Sequence, residues 1–103
     1  MQTLTVEYDR PVPAVAIRFM EGDHFTPAGG YPFQGGWFQS LTVEIKVAGL
    51  WSAIAAAPSE PLDPAVPFQI IDFPLPAATS ITGIRISGPC GGGPAEGFIT
   101  CAE

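Results

Sequence analysis

Positive charge is scarce in this chain. Lys and Arg together number four in 103 residues, against ten Asp and Glu, so the formal net charge is −6 and the pI is near 4.4. Neutralising nucleic-acid phosphates needs a basic footprint, which Arg10, Arg18, Lys46 and Arg85 do not supply. No nucleic-acid partner is expected, and attraction to anionic membrane surfaces is excluded on the same ground. No apolar run approaches the roughly 20 residues of a membrane span. The opening Met1-Gln2-Thr3-Leu4-Thr5-Val6-Glu7 has neither a basic stretch nor an apolar run, so no signal peptide is expected and the compartment stays open. Catalytic residue types are equally thin. There is one His, no Ser or Cys in a nucleophile motif, and no acid pair at a readable spacing, so the chain is not expected to be an enzyme.

Helix-compatible stretches are also few. Twelve Gly and twelve Pro interrupt the chain, and the longest segment free of both is 37–48. A helical bundle is thereby excluded. The two cysteines, Cys90 and Cys101, fit no metal spacing and no redox CxxC. A hairpin over 81–102 turning near Gly92 would leave them out of bridging reach, as two buried free thiols, and this is the favoured reading. A turn nearer Ala95 would set them opposite each other and allow a disulfide.

What the chain does have is alternation. Leu4, Val6 and Tyr8 oppose Thr3, Thr5 and Glu7, and Val15, Ile17 and Phe19 oppose Ala16, Arg18 and Met20. Over 41–47, Leu-Thr-Val-Glu-Ile-Lys-Val puts four apolar residues on one face and three polar ones on the other. That period of two suits half-buried antiparallel strands. Further strands are expected at 51–55, 68–73, 81–87 and 97–102, with Ala48-Gly49 turning a hairpin. Loops are expected at 21–36, 58–67 and 88–97. Seven short strands with Pro and Gly punctuation predict an all-β, antiparallel sandwich or jelly roll in one domain spanning 1–103.

The run Ile17-Arg18-Phe19-Met20-Glu21-Gly22-Asp23-His24-Phe25, followed by Gly35-Gly36-Trp37-Phe38-Gln39-Ser40-Leu41-Thr42-Val43-Glu44-Ile45, resembles bacterial discoidin-like domains. These are the coagulation factor 5/8 C-type, or galactose-binding-like, modules. Gly49-Leu50-Trp51, Thr82-Gly83-Ile84-Arg85-Ile86-Ser87-Gly88-Pro89 and the closing Phe98-Ile99-Thr100-Cys101-Ala102-Glu103 continue the likeness. The resemblance implies an eight-stranded jelly roll whose end loops bind sugars, lipids or proteins, in an extracellular or cell-surface setting. The family often holds a structural calcium between an early acidic loop and a closing Glu. Glu103 matches that Glu but the early loop has no counterpart, so no cofactor or metal is expected. Set against the family, the chain looks shortened at both ends, as a fragment of a longer polypeptide would be. Open sheet edges would then invite a homo-oligomer or a larger partner.

The densest polar cluster is Glu21, Asp23, His24 and Phe25, with Tyr31 further along the same loop. Glycan recognition needs directional hydrogen-bonding groups for hydroxyls and an aromatic face for the C–H side of a sugar ring, and these five residues offer both. The competing structural role has Glu21 and Asp23 capping turns and His24 packing on Phe25. Trp37 shares parity with the apolar face of 41–47 and is expected in the core, whereas Trp51 is equally consistent with edge packing and exposure. The resemblance implies for Arg85 either an ion pair, with Asp72, Glu21 or Glu103 as candidate partners, or hydrogen bonds to loop carbonyls. Gly91-Gly92-Gly93 lacks the Lys-Ser/Thr of a phosphate loop. The expected function is a non-catalytic module binding a glycan or similar small polar ligand. The alternative is a structural or assembly module.

Overall fold

A computed structural model of the protein describes residues 2–22, 36–54, 58–63 and 66–91. These residues form an all-β fold of four antiparallel strands in a curled half-barrel sheet. In chain order the strands are β1 (Gln2–Met20), β2 (Thr42–Val47), β3 (Leu50–Ala53) and β4 (Ile70–Gly88). Their order across the sheet is β1-β4-β2-β3. The second sheet of a sandwich is not among the described residues.

Two expected pairs of short strands are each one long strand. Segments around Leu4–Tyr8 and Val15–Phe19 merge into β1, and those at 68–73 and 81–87 merge into β4; each merged strand runs 19 residues. Prolines do not break them. Pro11 lies in the stretch between Glu7 and Val12 where register with β4 shifts, and such irregularities release backbone donors from the ladder. Pro74 and Pro76 lie in the half of β4 where, among the described residues, only β1 pairs with it; β2 pairs with Thr82's neighbours from Gly83 to Ser87. A proline there needs only one side of the strand free of donors. The second irregularity, between Ala14 and Ala16, restores the register that the first had displaced: Gln2↔Gly88 and Met20↔Ile70 belong to the same alignment.

The 48–49 turn is as expected. Ala48 (φ 50°) and Gly49 (φ 82°) are both left-handed, the requirement of a tight turn matched to sheet twist, and β2 pairs with β3 from Val47↔Leu50 to Glu44↔Ala53. The strip before β2 extends the ladder. Phe38 bridges Cys90, the Gln39 N–H donates to the Pro89 carbonyl at 2.9 Å, and the Gly91 N–H donates to the Trp37 carbonyl at 2.9 Å. Of the loop expected from Gly88, Gly88 itself ends β4, and 89–91 is held to the strip before β2 by one isolated bridge and these hydrogen bonds. Trp37 is buried, as parity predicted, and lies so close over Gly91 that any side chain at that position would strike the indole.

The core fills the apolar face of the sheet. Ile17 pairs directly with Phe73 and Phe19 with Ile71, and Val43 and Ile45 lie across from Ile86 and Ile84. Phe19 meets Phe38 edge-to-face, with centroids 5.9 Å apart and planes at 62°. This contact ties the far end of β1 to the strip entering β2. Phe19 is 1 % exposed, so Phe19→Ala should remove about 3–5 kcal/mol of stability, measured by urea denaturation; a loss under about 1 kcal/mol would contradict this packing.

Candidate functional site

The polar face of the sheet is organised in rows. Trp51, Lys46, Gly83 and Glu7 stand side by side across β3, β2, β4 and β1, and Ala53, Glu44, Arg85 and Thr5 form the next row. Arg85 and Glu44 make a two-pronged pair, Nε to Oε1 at 3.0 Å and Nη2 to Oε2 at 2.9 Å. Glu44 is thus the partner of Arg85, in place of Asp72, Glu21 or Glu103. Asp72 instead takes Arg18, at 2.8 and 3.0 Å. The Lys46 ammonium donates to Glu7 at 2.8 Å.

Trp51 is half-buried because Gly83 leaves room for it. A Cβ at Gly83 would sit 2.8 Å from the indole edge. The ring also lies against the Arg85 guanidinium, 4.3 Å from its centroid, with the Lys46 ammonium at 5.8 Å. Arg85 is held on its edge by Glu44 and on its face by Trp51, which makes it a structural residue of the sheet. Arg10 differs from the other three cations: its guanidinium lies 3.8 Å from the carboxylate of its neighbour Asp9, and both side chains are exposed.

Of the five expected ligand-binding residues, Asp23, His24, Phe25 and Tyr31 lie outside the described residues. Glu21 is described and is 1 % exposed. Its backbone N–H donates to the Gln69 carbonyl at 2.9 Å, and its side chain is held inside the fold rather than presented to solvent. Cys90 is a free, half-buried thiol, and Cys101 lies outside the described residues. Among the described residues, no group of three His, Cys, Asp or Glu could hold a metal ion, and no helix is long and apolar enough to cross a membrane.

Two concavities stand out instead. The first, of about 430 Å³, lies between the strip entering β2, Ile54 after β3, and the 58–63 segment. Its depth is apolar, with buried Val43, Ile71 and Phe73 flanked by half-buried Leu41, Ile54 and Leu62. Its rim carries the exposed polar residues Gln39, Ser40, Thr42 and Glu60. The 58–63 wall is pinned. The Ser59 N–H donates to the Asp72 carbonyl at 2.7 Å, and Ser59 Oγ accepts from the Asp72 N–H at 2.9 Å. Gln69 Nε2 donates to the Pro61 carbonyl at 2.7 Å and to Glu60 Oε1 at 3.1 Å, while Gln69 Oε1 accepts from the Asp63 N–H at 3.0 Å. On the opposite wall, the Ile54 N–H donates to the Val43 carbonyl at 3.0 Å.

The second concavity is an apolar trough of about 570 Å³ along β1 and β4, lined by Leu4, Val6, Val12, Val15, Ile81 and Ile84 among others. Val6 is 53 % and Val15 69 % exposed. Val66, Phe68 and Ile70 form a further exposed apolar group, and Phe68 has a φ of 58°, a strained value for an aromatic residue.

Sequence reasoning missed the first cavity. Its one legible signal was the polar pair Gln39-Ser40 directly before a strongly alternating strand. The 58–67 stretch was read as an extended polar loop, and nothing in its sequence says that Gln69 and Asp72 hold it in place. No family model, curated protein or solved structure matches the chain.

The ion pairs of the polar face set a pH dependence. Hydrogen bonds from Lys46, Arg85 and Arg18 hold the carboxyls of Glu7, Glu44 and Asp72 below the usual carboxylate range. A carboxyl depressed on folding contributes stability above its unfolded pKa and loses it as the pH falls through the depressed value. Stability should therefore fall below about pH 4.3. Glu44→Gln should flatten part of that loss, compared through urea midpoints at pH 5.5 and 3.5; an unchanged slope would contradict the assignment.

Proposed function

We propose that this chain is a non-catalytic binding module that takes a small ligand, of which a sugar ring is the favoured example, in the 430 Å³ cavity. The observation that carries the reading is the cavity's construction: an apolar floor beneath a rim of hydroxyl, amide and carboxylate groups, on walls already hydrogen-bonded in place. Its volume falls in the range of small-molecule sites, roughly 300–1,000 Å³. A saccharide has this same division, with C–H groups on one face and hydroxyls at the edge. Pinned walls lessen the ordering that binding must impose, although an open site for one sugar ring still binds weakly. The architecture proposed for the complete domain is a galactose-binding-like jelly roll of seven to eight strands, in keeping with the discoidin-like resemblance. The residues Asp23, His24, Phe25 and Tyr31 remain proposed contributors to glycan contact on the sequence alone.

Amide chemical-shift mapping with glucose and galactose at tens of millimolar tests this. Shifts clustered at 39–43 and 58–63 are expected; a folded protein whose shifts avoid both segments would overturn the proposal.

The trough favours a second reading, assembly. An open apolar face rarely stays exposed on an isolated soluble domain, and four curled strands are half the number that closes a barrel around its own side chains. A second copy of the chain, added along β1, would supply the remainder. Light scattering should then show a dimer that Val15→Asp dissociates, and a clean monomer at every concentration would end this reading.

A further inference from the structure

The rim of the cavity has a sign as well as polarity. Among its described lining residues the only charged side chain is that of Glu60, and the remaining polar groups, from Gln39, Ser40 and Thr42, are neutral. We infer that the cavity selects ligands carrying a positively charged ammonium group beside an apolar ring, with the ammonium at Glu60 and the ring against half-buried Leu41, Ile54 and Leu62. This rests on the small-ligand reading above and narrows it to one chemical class.

Three observations support the assignment. First, Glu60 is held at the rim: one carboxylate oxygen accepts from Gln69 Nε2 at 3.1 Å, and the same Gln69 also bonds Pro61 and Asp63. A carboxylate accepts about four hydrogen bonds over its two oxygens, so one such bond leaves capacity for a ligand donor. Second, Lys46, Arg85 and Arg18 are paired with the carboxylates of Glu7, Glu44 and Asp72, and no Lys or Arg is among the described lining residues of the cavity. The chain's net charge of −6, which already counts these cations, sets a field that draws cations and repels anions. Third, the accessible apolar lining is that of half-buried Leu41, Ile54 and Leu62, so a ligand displaces water from it while the rim stays wet. An ammonium beside an apolar body matches that gradient. A ligand carboxylate would face Glu60 across the cavity with no cation among the described lining residues to offset it.

The shared chemistry, an ammonium beside a ring, occurs in amino sugars and in arylalkylamines, and the two arms of the test separate them. Glucosamine, glucose, glucuronate and benzylamine are titrated at pH 6 against the wild-type chain and Glu60→Gln, with amide shifts at 39–43 and 58–63 as the readout. Gln at position 60 keeps an acceptor for Gln69, so the wall is preserved, and retained amide positions elsewhere confirm it. Glucosamine should bind about fivefold more tightly than glucose and glucuronate more weakly than either. Glu60→Gln should bring glucosamine to the level of glucose. Saturation by benzylamine without response to glucosamine would keep the charge preference and overturn the sugar reading. Equal affinities for glucosamine and glucose, or a glucosamine preference that survives Glu60→Gln, would overturn the inference while leaving the sugar reading intact. Absence of any response at these amides would overturn both.

Discussion

Nineteen-residue strands stay paired from end to end only when their register is managed, because each strand twists and each proline removes a donor. In this sheet the pairing of β1 with β4 carries two irregularities, one with its extra residues on β1 and the other with its extra residues on β4, and the second cancels the first. Both ends of the ribbon therefore share one alignment. At one end this alignment sets Leu4 against Ile86, and at the other Phe19 against Ile71. A single uncompensated irregularity would rotate one end's apolar residues toward solvent. The core, the strip that Phe38 anchors and the floor of the cavity all rest on that cancellation.

Across the strands, the polar face is held by a different logic. Gly83 in β4 leaves a gap, Trp51 reaches from β3 over Lys46 to fill it, and Arg85 lies against the indole while Glu44 holds its edge. Four strands contribute to two adjoining rows, which gives the short edge strand β3 a hold on the sheet beyond its four residues of ladder. These contacts consume the chain's positive charge on its own carboxylates. Among the cavity's described lining residues the charged one is Glu60, which Gln69 holds.

The sequence foretold strand character well and strand extent poorly. The alternation in 41–47 marked β2 with its faces the right way round, and the parity of Trp37 placed it in the core. The punctuation rule failed at Pro11, Pro74 and Pro76, because a proline breaks a strand only where its missing donor is required, and that depends on which side has a neighbour. For Arg85 the sequence left an ion pair and loop-carbonyl hydrogen bonds open, and the β2–β4 register, which sets Glu44 directly beside it, decided for the ion pair. The cavity was illegible, since its walls come from segments around residues 40, 54 and 60 that only tertiary hydrogen bonds bring together.

Composition and period alone therefore determined an acidic chain of antiparallel β character. These properties depend on residue types and on spacings of one or two, which the chain states locally. Tertiary structure decided that the described strands are long, that Arg18, Lys46 and Arg85 are matched to Asp72, Glu7 and Glu44, and that a polar rim surrounds an apolar floor. Those outcomes depend on contacts between residues tens of positions apart, where register and packing, and no local pattern, choose the partner.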